Sequence, residues 1–149
     1  MATVTQILTA VELGRRTLAR SPEEWTLLES PHEAASCLSH SHGFGLVEQF
    51  GVVMLDTKHG FIRTTVLSVR TLDASLVCPR ELCCAAAECG AAAVALFHSH
   101  RSRDPAPSTD DVALTRRLVG TGVLMGIDVI DHLVLADSRC GSFKGARGI

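Results

Sequence analysis

The sequence predicts an α/β or α+β layered domain, on three observations. Short strand-like apolar runs alternate along the chain with helix-periodic segments. Turn and cap signals separate them, among them Gly90 and Gly126 at helix ends and Thr57-Lys58-His59-Gly60 between two strand-like runs. The 149 residues are 46% hydrophobic and 20% charged, which is one folded domain with a real core rather than a disordered chain.

Residues 5–20 place Ile7, Leu8, Val11 and Leu18 at helical spacings, with Arg15, Arg16 and Arg20 near the negative end of the helix dipole. A polar stretch over 21–31 follows, with Trp25, Leu27 and Leu28 as anchors, and then a short helix starting near Pro31. Residues 39–45 read as a loop. Strands are expected over 47–56 and 61–69, an alanine-rich helix over 79–89, and a buried strand from Ala92 into His98. A long amphipathic helix covers 108–125, with Val112, Leu114, Leu118 and Leu124 among its apolar positions. The last strand is expected over 128–136, and the Gly- and Arg-containing remainder is expected to fray. The corresponding division is an N-terminal helix and linker over 1–30, the main domain over 31–137 and a flexible tail over 138–149.

A net charge of −2 argues against a generic nucleic-acid surface, although Arg101 and Arg103 lie close enough for a local basic patch. No apolar run reaches the roughly 20 residues a membrane helix needs. The N-terminus lacks a signal-peptide pattern, so a cytoplasmic location is expected. Cys37, Cys78, Cys83, Cys84, Cys89 and Cys140 show no C-x-x-C spacing and are expected to be reduced, mostly buried thiols.

The chemistry concentrates in F-H-S-H-R-S-R-D-P-A-P-S-T-D-D. His98 and His100, two apart at a strand end, leave from one face and can share a metal. The chain then crosses a seven-residue loop to Ser108, with Asp111 in the first turn of the following helix. Two imidazoles, that carboxylate and a water would complete a tetrahedral zinc site. Each part has a plainer explanation: H-x-H pairs arise by chance, and Ser108 with Asp111 resembles a capping box that needs no metal. Their conjunction is much narrower than the parts. Glu48, between Glu33 and Glu81 with no other glutamate, shares a strand face with Phe50, Val52 and Met54. Burial there would raise its pKa into a range useful for a general base; an exposed strand end is the alternative, and the pattern leaves both open. Asp56, Glu81 and Asp131 are explained by turn, helix-start and strand-edge roles. His132, among Ile130, Leu133 and Leu135, reads as a buried structural histidine, and His40, His42 and His59 as surface residues.

The spacing H-x-H-x7-S-x2-D with an upstream glutamate resembles the JAMM (MPN-plus) zinc metalloprotease domains. V-E-Q-F-G-V-V-M-L-D-T-K-H-G, C-P-R-E-L, F-H-S-H, D-P-A-P-S-T-D-D-V-A-L-T-R-R-L and G-I-D-V-I-D-H-L-V-L, over roughly 46–136, resemble its RadC branch. The earlier A-V-E-L-G-R-R is similar to the helix that precedes the RadC catalytic domain. The resemblance implies a cytidine-deaminase-like three-layer fold with a central mixed sheet flanked by helices. It also implies zinc held by His98, His100 and Asp111, Glu48 as acid/base, and Ser108 supporting an oxyanion. RadC proteins usually follow H-x-H with proline, serine and glycine. Here Arg101, Ser102 and Arg103 make that loop bulkier and cationic, which bears on substrate binding. The helix-hairpin-helix module usual in RadC proteins is not expected before residue 21.

The leading expectation is therefore a zinc hydrolase of peptide or isopeptide bonds acting on a peptide or protein. The alternative is a non-catalytic module in DNA repair, DNA maintenance or mobile-element processes, acting through DNA or a protein partner. Nucleobase deamination is disfavoured, because no H-x-E is paired with P-C-x-x-C.

Overall fold

A computed structural model describes residues 3–18, 38, 42, 47–69, 77–101, 104–136 and 139–144. Among these, three helices and five strands follow one another as α1 (Val4–Leu18), β1 (Gln49–Leu55), β2 (Phe61–Val69), α2 (Pro79–Cys89), β3 (Ala93–Ser99), α3 (Thr109–Met125), β4 (Asp128–Ala136) and β5 (Arg139–Ser142). The stretch over 21–31, the helix near Pro31, most of the 39–45 loop, His40, Cys37 and Arg103 lie outside the described residues. No helix among the described residues is long and apolar enough to cross a membrane.

The strands form one mixed sheet in the order β2-β1-β3-β4-β5, an α+β arrangement. The β1–β2 hairpin is closed by Asp56, whose Oδ1 accepts from the backbone N–H of Lys58 and of Gly60, each at 2.7 Å. That is a side-chain-built turn, and it accommodates His59 at φ 60° on the exposed tip. Strand β3 runs antiparallel to β1 and parallel to β4, and all seven of its residues are buried. Its wholly apolar run is explained by burial on both faces.

Helices α2 and α3 cover one face. Pro79 occupies the first turn of α2 and Gly90 ends it at φ 66°, a conformation an L side chain rarely adopts. Leu82 and Ala86 of α2, with Leu114 and Leu118 of α3, pack on Phe50, Val52, Met54, Val94 and Leu96. Leu124, expected on the apolar face of α3, is instead 87% exposed beside Val123 and Met125 at the helix end. The opposite face buries Val53, Leu55, Phe97, Leu133 and Leu135 with Leu38. Helix α1 opens with a capping box between Thr3 and Gln6, while its Val4, Ile7, Leu8 and Val11 remain more than half exposed.

One irregularity in β4 matters for the site. The pairing Val94↔Val129 is followed by Ala95↔Asp131, so Ile130 is an extra residue in the parallel ladder. Such a bulge reverses the phase of every side chain beyond it. Val129 packs on the helical side, as its position demands, whereas Leu133 and Leu135 pack on the other. His132, opposite Leu96, is thereby turned towards the helices.

The fraying expected after residue 137 is corrected over 139–142, where β5 pairs with β4. Composition concealed the anchors. Phe143 is 1% exposed and stacks on the His132 ring with centroids 4.7 Å apart. Asp131, expected at a strand edge, is buried and accepts from the Ser142 hydroxyl and the Lys144 N–H. Replacing Phe143 with alanine is expected to cost about 3–5 kcal/mol in a denaturant titration, the range for deleting a buried ring. A loss below about 1 kcal/mol would mean that β5 is peripheral to the core.

Two smaller expectations are also corrected. Cys78, Cys83, Cys89 and Cys140 are half-buried and Cys84 is exposed, all as free thiols, because the two helix positions 83 and 84 straddle the core boundary. His42 is half-buried rather than at the surface, its ring 5.0 Å from Phe97 and its Nδ1 2.9 Å from Gln49 Oε1.

Candidate metal centre

A short loop joins the C-terminal end of β3 to the start of α3, so the end of a central strand and the positive pole of a helix lie side by side. His98 and His100 project there from the β3 end, with their Nε2 atoms 2.8 Å apart. His100 Nδ1 lies 3.0 Å from the carbonyl oxygen of Asp104. A carbonyl only accepts, so His100 carries its proton on Nδ1 and turns Nε2 inward.

Asp111 meets them from the helix. Its Oδ2 accepts from the Ser108 backbone N–H at 2.7 Å and from the Ser108 hydroxyl at 2.6 Å. The Asp111 N–H returns a 3.2 Å bond to Ser108 Oγ, completing a capping box. The same carboxylate stands 3.4 Å from His98 Nε2 and 3.3 Å from His100 Nε2. The capping role and the place beside the histidines therefore coexist. Ser108, through the bonds shown here, orients this carboxylate.

One donor atom from each of His98, His100 and Asp111 falls within 4.8 Å of the others. Two imidazole nitrogens at 2.8 Å need a proton or a cation between them, and a carboxylate beside them supplies matching negative charge. Two nitrogens and one oxygen are a donor set that suits zinc. Burial pushes the Asp111 carboxyl upward, but the adjacent His100 and His98 rings and the Ser108 hydroxyl outweigh it and hold the group far below its ordinary 3.8. The bond to Asp111 raises His100 above its ordinary 6.5, against the opposing effect of burial.

The two groups act on stability in opposite pH directions in chelator-treated protein. The contribution of Asp111 is complete above pH 3.8 and is lost as pH falls towards its depressed value. That of His100 is complete below pH 6.5 and is lost as pH rises through its raised value. Thermal melts should therefore show this pair at its most stabilising between those limits. A His100→Ala variant with an unchanged pH profile would contradict the coupling.

Glu48 immediately precedes β1 and is half-buried. Phe50 pairs with His98, and two more residues of that antiparallel register bring Glu48 level with His100. Its Oε1 accepts from the Arg101 N–H at 3.3 Å. Gln49 donates its N–H to Ser99 Oγ at 3.0 Å, tying the start of β1 to the end of β3. Arg101 is exposed in the turn after His100. Asp56 and Glu81 occupy the turn and helix-start positions expected of them.

His132 does not join the three donors. It is fully buried behind them, with Nε2 2.7 Å from His98 Nδ1. Burial, reinforced by repulsion from His98, holds its pKa well below 6.5. Sequence reasoning missed Asp104 and Thr115. Asp104 acts through its backbone carbonyl and leaves no residue-type signal. Thr115 had one, since it lies four residues after Asp111 on the same helical face.

A five-stranded mixed sheet with two helices packed on one face, and a His–His–Asp group where its central strand meets a helix start, is consistent with a JAB/MPN domain. Residues 28–149 match the family described as the RadC-like JAB domain. The chain belongs to that RadC-like JAB family. It is 38% identical over 144 residues to a UPF0758 protein of Alkaliphilus metalliredigens, covering 97% of this chain and 62% of that relative. It is 40% identical over 140 residues to a UPF0758 protein of Desulforudis audaxviator, covering 93% and 60% respectively. A UPF0758 protein of Caldanaerobacter subterraneus is 38% identical over 144 residues, covering 97% and 62%. The chain thus spans about three-fifths of the length of the curated relatives it matches.

Proposed function

We propose that the chain is a zinc-dependent hydrolase of peptide or isopeptide bonds, with the ion held by His98, His100 and Asp111. The observation that carries this reading is the convergence of two imidazoles and a carboxylate on one point at the mouth of the sheet. Zinc in such a set supplies Lewis-acid polarisation of a carbonyl and of a water molecule. The remaining work falls to the chain. Glu48, level with His100, the most exposed of the three donors, takes the proton from the attacking water and passes it to the leaving amine. Ser108 holds Asp111 in place and, by turning its hydroxyl from Oδ2, can donate to the oxyanion. Arg101, exposed in the turn after His100, and Arg103, two residues further along the chain, would bind acidic or carbonyl groups of the peptide or protein substrate.

Elemental analysis of the purified chain is the direct test. Wild type is expected to carry about one zinc per chain, and His100→Ala to carry almost none. Wild type free of zinc after growth in zinc-supplemented medium would refute the centre. A zinc ion competes with the His100 proton, so the zinc-induced rise in Tm should grow as pH climbs above 6.5.

The exposed Arg101 favours a second reading, a non-catalytic module that binds DNA through this loop. It requires salt-sensitive DNA binding that disappears when Arg101 and Arg103 are both replaced by alanine.

A further inference from the structure

Three hydrogen bonds lead from His98 back to α3. His98 Nδ1 lies 2.7 Å from His132 Nε2. His132 Nδ1 lies 2.6 Å from Thr115 Oγ1. Thr115 Oγ1 lies 2.6 Å from the backbone carbonyl oxygen of Asp111. One assignment of protons satisfies all three. The carbonyl oxygen can only accept, so the single hydroxyl proton of Thr115 goes to Asp111. The Thr115 oxygen must then accept from His132 Nδ1–H. His132 has no exposed surface and is enclosed by the Phe50 and Phe143 rings, at 5.5 Å and 4.7 Å between centroids. Such a position disfavours a doubly protonated ring. Its Nε2 therefore bears a lone pair and accepts from His98 Nδ1–H.

We infer that His132 and Thr115 are positioning residues whose relay locks His98 in its Nδ1-protonated tautomer and aims a bare Nε2 at His100 and Asp111. The relay starts on the helical turn that carries Asp111 and ends on the strand that carries His98. Two donor residues from different elements are thus joined by one continuous chain of bonds. Three features of the fold assemble it: the bulge at Ile130 that turns His132 inward, the spacing of Thr115 four residues after Asp111, and the Phe143 ring stacked on His132. The functional value of this relay rests on the zinc reading above, but its proton assignment does not.

Thr115→Val has nearly the shape of threonine and removes the acceptor. His132 is then free to move its proton to Nε2, donate to His98 Nδ1, and force the His98 proton onto Nε2, where it blocks ligation. Thr115→Ser keeps the hydroxyl. Long-range nitrogen–proton NMR of the imidazoles in chelator-treated protein at pH 8 reads the tautomers directly. His98 should be protonated at Nδ1 in wild type and in Thr115→Ser, and at Nε2 in Thr115→Val. Competition with a chromogenic chelator should show zinc binding about 10- to 100-fold weaker in Thr115→Val and nearly unchanged in Thr115→Ser.

A wild-type His98 protonated at Nε2 overturns the inference, and that measurement depends on no variant folding correctly. A Thr115→Val protein that binds zinc as tightly as wild type overturns it as well. If the tautomers behave as stated but no form binds zinc, the relay stands and the metal reading fails.

Discussion

Replacing Glu48 with glutamine is expected to leave zinc content at the wild-type level while turnover of amide substrates falls by about 10²- to 10⁴-fold. The separation follows from where Glu48 sits. It lies off the three-donor group but level with His100, just before a strand whose second residue, Phe50, pairs with His98. Glutamine keeps an Oε1 that can accept from the Arg101 N–H, so the turn after His100 retains its anchor. It cannot take up and release a proton near neutral pH. Loss of zinc from Glu48→Gln would place Glu48 among the ligands and refute this division of labour.

Asp111 carries the second large effect, and two variants divide its roles. Asp111→Ala should lose the metal and also the capping box, the latter costing about 1 kcal/mol in denaturant titrations of chelator-treated protein. Asp111→Asn retains an oxygen that can accept from the Ser108 N–H and hydroxyl, and so should keep most of that stability. It lacks the negative charge that balances the imidazole pair, so its zinc content should still collapse. A zinc-replete Asp111→Asn protein would mean that the carboxylate serves the helix alone.

These variants touch residues that were legible one by one. The bounds of α2 and β4 match expectation residue for residue, since Pro79, Gly90 and the Val- and Ile-rich run act through local backbone preference. The strand end bearing His98 and His100 and the helix start bearing Ser108 and Asp111 are local features too. Their meeting was legible because only seven residues separate His100 from Ser108. Membership of the RadC-like JAB family follows from the same stretch and its flanking motifs.

What remained hidden depended on long-range pairing. Strand β5 was missed because Arg139, Gly141 and Ser142 have weak intrinsic strand preference. Pairing with β4 and burial of Phe143 override it. Gly141 is needed there, since a Cβ would come within 2.4 Å of the Pro105 carbonyl oxygen. The choice left open for Glu48 could not be made from alternation, because a strand's period says which face a residue shares, not how far the partner strand covers it.

The sequence by itself determined the element types, the three converging donor residues and the family, because each rests on local spacing. Only the tertiary structure decided which way His132 faces, whether the tail forms a strand, and which nitrogen of His98 is bare. The reason is that one extra residue at Ile130 inverts the phase of β4, and a proton's place on an imidazole depends on partners 34 and 17 residues apart in the chain.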